Sequence, residues 1–191
     1  MHRPGGRAMH KVAVIVGSLR KESNNKKLAK ALAKLAEGKL DCRTIRIDDL
    51  PLLNGDDVSD PPAPVLRFKR EVEACDAVLF VTPEHNRAVP AAMKNAFDWG
   101  SRPTGKNSWR GKPAAITGTS AGRISSALAQ QSMRTIASGH FSALLGNPEV
   151  FLQYQDGLFG EDGNVTNEDT KKFLTTFIDN FAKLIDAMVA E

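Results

Sequence analysis

Short apolar runs alternate with helical periods along most of the chain, and this alternation limits its possible folds more than any other feature. The runs at residues 12–16, 77–81 and 113–117 are apolar at consecutive positions instead of every second one. A strand that is apolar on both faces needs helices on both faces, which is the environment of a parallel sheet. The sequence therefore predicts a doubly wound α/β domain.

Five predicted strands alternate with five predicted helices. The last helix, residues 168–189, is the best defined, because its apolar side chains recur every three or four positions and Thr166 with Asp169 resembles a capping box. The strands are expected at 12–16, 42–47, 77–81, 113–117 and 143–151, the last interrupted at 146–148, and the other helices begin near Asn24, Pro64, Pro90 and Ser125. Right-handed crossovers place the loops after parallel strands at one edge of the sheet, so a ligand site is expected where the loops after the first, third and fourth strands meet.

Composition bounds the class of protein. The 191 residues are 41% hydrophobic and 25% charged, which suits a single domain of residues 11–191 behind a disordered N-terminal extension of residues 1–10. Cys42 and Cys75 lack metal-ligand spacing, so we expect no metal and a reducing, cytoplasmic location. No apolar run approaches the roughly 18 residues that cross a bilayer, so no membrane association is expected. The net charge of +4 permits an anionic ligand but is too diffuse to indicate nucleic acid.

The loop after the first strand, GSLRKESNN at 17–25, carries groups that bind phosphate. The hydroxyls of Ser18 and Ser23, the guanidinium of Arg20 and the amide of Asn25 precede a helix N-terminus, where free N–H groups and the helix dipole favour an anion. GxGxxG and GxxxxGK[ST] are both absent, which favours a monophosphate over a diphosphate. The alternative is a capped helix behind a solvated turn.

Two further loops complete the expected site. The segment PEHNR at 83–87 follows a buried strand, and GTSAGR at 118–123 combines small residues with hydroxyls ahead of a helix. The alternatives are an ordinary exposed carboxylate for Glu84 and a simple helix cap for the third loop. A GxSxG elbow is absent, which disfavours hydrolysis.

Three ordered motifs, GSLRKESNN at 17–25, TPEHNRAVPAAMKNAFDWGSRP at 82–103 and GKPAAITGTSAG at 111–122, resemble the NAD(P)H-dependent FMN reductases of the flavodoxin-like superfamily, which include bacterial quinone and chromate reductases. The resemblance implies a flavodoxin-like five-stranded parallel sheet of order 2-1-3-4-5 with helices on both faces. It also implies FMN as cofactor, NADPH or NADH as co-substrate, and ping-pong transfer to a small acceptor: a quinone first, then flavin, chromate, azo or nitro compounds. A homodimer or homotetramer is expected.

The resemblance also implies roles for individual residues. Three groups follow from it: phosphate contacts at Ser18, Arg20, Ser23 and Asn25; isoalloxazine neighbours at Pro83, Glu84, His85 and Asn86; and a pyrimidine-side wall at Ser120 and Gly122. No residue is assigned as a catalyst, because the flavin carries the chemistry; Glu84 and His85 are candidates for tuning it.

The chain departs from the family pattern at a few positions. His85 stands where the family usually has Tyr, and Ala91 and Ala92 where it has Gly at one or both. Leu128 and Gln131 replace an Arg and a Tyr associated with subunit contacts. Two alternative functions remain: a flavodoxin-like electron carrier, which the basic net charge disfavours, and a flavin-free binding protein of the same fold.

Overall fold

A computed structural model describes residues 9–189. The elements in chain order are β1 (His10–Val16), α1 (Asn24–Leu35), β2 (Leu40–Ile45), α2 (Ala63–Glu73), β3 (Ala77–Val81), α3 (Ala91–Ser101), β4 (Pro113–Ser120), α4 (Ala127–Ala137), β5 (Ala143–Leu144), β6 (Phe151–Gln153) and α5 (Glu168–Val189). The predicted N-terminal extension falls mostly on residues 1–8, which lie outside the described residues, and β1 begins at His10.

The sheet has the predicted order, β2-β1-β3-β4-β5, and every pairing between named strands is parallel. The interruption predicted at 146–148 is confirmed, and the parts on either side of it form two separate strands, β5 and β6. β5 pairs with the start of β4, and β6 pairs with its end. The segment Gly146-Asn147-Pro148 separates them, since proline has no N–H to donate to a ladder and glycine weakens a strand.

Both faces of the sheet are buried, which explains the consecutive apolar residues of its strands. In β1, Val12 and Val14 pack toward α1 and α5, whereas Ala13 and Ile15 pack toward α2 and α3. Trp109 anchors the second face, with its ring stacked on Phe97 at a centroid distance of 5.5 Å. The core thus fixes the sheet and leaves the loops at its carboxyl edge for other roles.

Two helix starts differ from the sequence expectation. α5 spans 168–189 as predicted, but the capping box is wrong: Asn167 Oδ1 accepts from the Thr170 N–H at 2.9 Å, and Thr166 Oγ1 instead donates to the carbonyl of Gly157. α4 begins at Ala127 because Ser125, its predicted first residue, has a φ of +54°, outside the helical region.

Candidate functional site

Three loops meet at the carboxyl edge of the sheet, as predicted. Loop 1 (17–23) follows β1, loop 2 (82–90) follows β3, and loop 3 (121–126) follows β4. Hydrogen bonds at the strand ends join them: the Gly17 N–H donates to the Val81 carbonyl, and the Thr82 N–H to the Thr117 carbonyl, each at 2.9 Å. The site is therefore built on neighbouring strands of one rigid sheet.

Loop 1 ends in a capped helix and leaves most of its other donors free. Ser23 is buried and is the N-cap of α1, where its Oγ accepts from the N–H groups of Asn25 and Lys26. Within residues 9–189, no group accepts from the main-chain N–H groups of residues 18–22, and none pairs with the exposed Arg20 guanidinium. Free N–H groups, a cation and a helix N-terminus together form a site suited to an anion.

Asn25 has a role that its motif did not predict. Its side-chain NH₂ donates to the Thr119 carbonyl at 2.9 Å, and its Oδ1 accepts from the Thr119 N–H at 3.0 Å. Asn25 is only 3% exposed. The amide predicted to contact phosphate is therefore engaged with the main chain of β4, and it links the start of α1 to the end of that strand.

Loop 2 contains a tight turn that presents two polar side chains to solvent. His85 and Ala88 exchange N–H···O bonds of 3.1 and 3.0 Å, and the central residues Asn86 and Arg87 have φ values of +49° and +65°. Two positive φ values between reciprocally bonded residues are typical of a type I′ turn. Asn tolerates this region, but for Arg it costs roughly 1–2 kcal/mol. The side chains of His85 and Asn86 are exposed, while Pro83 is half-buried where the loop leaves β3.

Glu84 is not the ordinary exposed carboxylate of the alternative interpretation, because its side chain is only 7% exposed. Oε2 accepts from the N–H groups of Leu128 and Ala129 at 2.9 and 3.1 Å, in the first turn of α4. Oε1 contacts the Arg87 guanidinium at 3.2 Å. Ser126, the N-cap of α4, makes no side-chain capping bond, so Glu84 provides this function from another loop.

Hydrogen bonds to β4 and β6 hold loop 3 in place. Ser120 Oγ accepts from the Gly122 N–H at 3.2 Å, and Ser125 Oγ donates to the Leu152 carbonyl at 2.7 Å, which fixes the loop against β6. A Cβ at Gly118 would lie 1.9 Å from the Thr82 carbonyl oxygen, so only glycine allows β4 to approach loop 2 this closely. Gly122 itself is exposed at the rim.

Metal and membrane features are not found in the part of the chain that the structure describes. Across residues 9–189, His, Cys, Asp and Glu side chains form no group of three or more that could hold a metal ion. In the same range, no helix combines the length and apolarity needed to span a membrane.

A doubly wound parallel sheet with a loop of free N–H donors ahead of α1 and two ordered loops beside it defines a flavodoxin-like protein. A model of the NADPH-dependent FMN reductase family matches residues 10–156. The chain belongs to this family and is an FMN-dependent oxidoreductase that uses NAD(P)H.

Close relatives cover almost the whole chain. It is 44% identical over 172 residues to a 2-hydroxy-1,4-benzoquinone reductase of Burkholderia sp, covering 90% of this chain and 94% of that one. It is 43% identical over 178 residues to a quinone reductase of Pseudomonas putida, covering 93% and 95%. Among solved structures, FerB of Paracoccus denitrificans, a flavoenzyme NAD(P)H:(acceptor) oxidoreductase, aligns with a TM-score of 0.91 at 47% identity over 94% of this chain and 99% of that one.

Loop 1 fits the phosphate of FMN on its own geometry. The free N–H groups of residues 18–22, the hydroxyl of Ser18 and the guanidinium of Arg20 all belong to this loop. Ser23 Oγ accepts two bonds as a cap, and its own O–H remains available to donate. The donor set and the lack of competing carboxylate contacts in the described structure suit a dianionic monophosphate.

Proposed function

We propose that the chain is an NAD(P)H:quinone oxidoreductase that holds one FMN per subunit. The observation that carries this proposal is the unpartnered set of donors on loop 1, in a chain whose relatives at 43–44% identity are quinone reductases. When bound, FMN would supply the hydride and two-electron chemistry between the nicotinamide and the acceptor. The task of the protein is to bind and orient the reactants.

The residues divide that task between the three loops. Loop 1 would hold the phosphate through Ser18, Arg20 and Ser23, with Asn25 keeping α1 in register with β4. The main chain of loop 2 from Pro83 to Asn86 would line the isoalloxazine. Ser120 at the end of β4 and Gly122 of loop 3 would form the opposite wall, where their mutual hydrogen bond fixes the turn.

His85 is the residue that would determine which electron acceptors this protein reduces. Its side chain is exposed and extends from a rigid turn, and an imidazole is smaller than the phenol that the family usually has there. We propose that it leaves more room above the ring for an acceptor. Quinones are the expected acceptors, followed by flavin, chromate, azo and nitro compounds.

One experiment separates the proposed function from its alternatives. The protein is reconstituted with FMN, desalted and titrated anaerobically with NADPH and then NADH while its visible spectrum is followed. Prompt bleaching, followed by recovery on addition of benzoquinone, is expected. Bound flavin that neither nucleotide bleaches would indicate an electron carrier, and loss of flavin on desalting would indicate a flavin-free binding protein.

We also propose that the chain is a homo-oligomer, either a dimer or a dimer of dimers. Leu128 is 44% exposed at the start of α4, close to Glu84 and the flavin loops, so a second copy could cover it. Light scattering after gel filtration measures the state directly. A mass of one chain would contradict the proposal.

A further inference from the structure

A groove lies beside loop 1 on the side away from loops 2 and 3. It runs between α1 and the end of β2 and has a volume of about 680 Å³. Ala29, Ala33 and Ile45 contribute aliphatic side chains to it, and Ser18 and Leu19 belong to both the groove and loop 1. The groove is therefore continuous with the proposed phosphate site, but it is formed by different elements.

The rim of the groove is strongly basic. Lys21, Lys26 and Lys30 lie along loop 1 and α1, and Arg46 faces them from the residues after β2. Asp48 is the single acidic residue among the described residues that line it, and both oxygens of Asp48 are bound by Arg46 at 3.0 and 3.1 Å. Arg46 is therefore already paired, and the charges of the three lysines remain to be explained.

None of these lysines forms a direct ion pair with a carboxylate among the described residues, and the acidic residue of the groove, Asp48, is bound by Arg46. Lys26 Nζ contacts the Leu19 carbonyl at 3.4 Å, and Lys30 Nζ contacts the main-chain carbonyl of Glu161. Lys21 has no hydrogen-bond or ion-pair partner within residues 9–189. The groove therefore combines an apolar floor with lysines that have no ion-pair partner among the described residues. This combination suits a ligand that joins a flat apolar ring to a multiply charged phosphate.

We infer that this groove binds the 2′-phosphoadenosine end of NADPH, an inference that rests on the proposed function. The adenine would lie on the aliphatic floor between α1 and β2, and the 2′-phosphate would face Lys26 and Lys30. Because Ser18 and Leu19 join the groove to loop 1, the dinucleotide would cross loop 1 to bring its nicotinamide over the flavin. NADH lacks the 2′-phosphate, so the groove selects NADPH.

The test uses Lys26→Gln/Lys30→Gln in the FMN-loaded full chain, because both residues lie on α1, outside the three flavin loops. Lys172→Gln/Lys183→Gln, a double change on the exposed surface of α5, removes the same charge and is the control. Calorimetric titrations with 2′,5′-ADP and with 5′-AMP measure binding without turnover. Steady-state kcat/KM for NADPH and NADH is measured beside them.

We expect the groove variant to lose about tenfold in 2′,5′-ADP affinity and in the NADPH/NADH ratio of kcat/KM, with 5′-AMP affinity and flavin content unchanged. The control should keep the values of the unaltered chain. Equal 2′,5′-ADP affinity in groove variant and control would overturn the inference. If neither dinucleotide reduces the flavin, the proposed function fails, and the 2′,5′-ADP titration still decides whether the groove binds a 2′-phosphoadenosine.

Discussion

Asn25 and Thr119, which are 94 residues apart in sequence, are joined by a reciprocal pair of buried hydrogen bonds between one side-chain amide and one main-chain unit. This pair connects the helix that begins behind loop 1 to the strand that ends at loop 3. The two loops proposed to hold opposite ends of the flavin therefore share a rigid link.

Asn25→Ala should destabilise the fold by about 2–4 kcal/mol, because it leaves a buried N–H and a buried carbonyl of Thr119 without partners. Urea unfolding followed by circular dichroism measures the loss. Asn24→Ala is the matched control, since no side-chain hydrogen bond holds Asn24 among the described residues, and it should change stability by less than about 1 kcal/mol. Equal losses in the two variants would contradict the role given to the Asn25 amide.

Arg20→Ala should weaken FMN binding by about tenfold or more with little change in stability, because the guanidinium is exposed and has no partner within residues 9–189. Quenching of flavin fluorescence gives the dissociation constant. Arg110→Ala, which removes another exposed arginine far from loop 1, should leave that constant unchanged. A dissociation constant for Arg20→Ala that matches the control would remove Arg20 from the phosphate site.

Glu84→Gln should lower stability by about 1 kcal/mol, because the amide keeps one acceptor for α4 but loses the charge that favours the helix N-terminus. Arg87 loses its ion-pair partner in the same change, so the strained turn should loosen and FMN affinity should fall with it. The measurement pairs urea unfolding with flavin titration. Glu22→Gln, at an exposed position of loop 1, separates the effect of charge alone, and a loss of the same size there would argue against the cap.

Gly118→Ala should be among the most damaging single changes, because the added methyl would lie 1.9 Å from the Thr82 carbonyl oxygen and 2.5 Å from Ser126 Oγ. β4 would have to move away from loop 2, with an expected cost of several kcal/mol. Gly139→Ala is the control, since a Cβ there meets no atom within 4 Å. The thermal midpoint should fall sharply for the first variant and stay within a few degrees for the second.

Cys42 is expected to make the free energy of unfolding depend on pH in the alkaline range. Burial, with a smaller contribution from Asp41, raises the pKa of its thiol from 9.0 to about 11. The unfolded chain releases this proton first, so the native state loses stability as the pH rises from about 9 to about 11. Unfolding free energies across this range should fall more steeply for the unaltered protein than for Cys42→Ala. Parallel slopes would show that the thiol is not shielded.

The sequence predicted the sheet because its signal is local and repeated: consecutive apolar residues followed by a helical period require helices on both faces. Strand order and family came from three motifs whose order along the chain is itself informative. What escaped prediction depends on contacts between distant segments. The Glu84 cap on α4 and the Asn25 bond to β4 each join residues more than forty positions apart, and nothing in the flanking sequence encodes the partner. The interruption between β5 and β6 was predicted from residues 146–148, but the pairing of the two strands with opposite ends of β4 was not.

The cap on α4 also bears on the orientation in which a ligand is expected to bind at this edge of the sheet. Helices α1, α3 and α4 all begin at this edge, and a helix N-terminus can offer its positive end to a phosphate. At α4 that end is already neutralised by the carboxylate of Glu84, so an anion arriving there meets a like charge. A cofactor with one charged end and one flat ring system is therefore expected to place its charged end at α1 and not at α4.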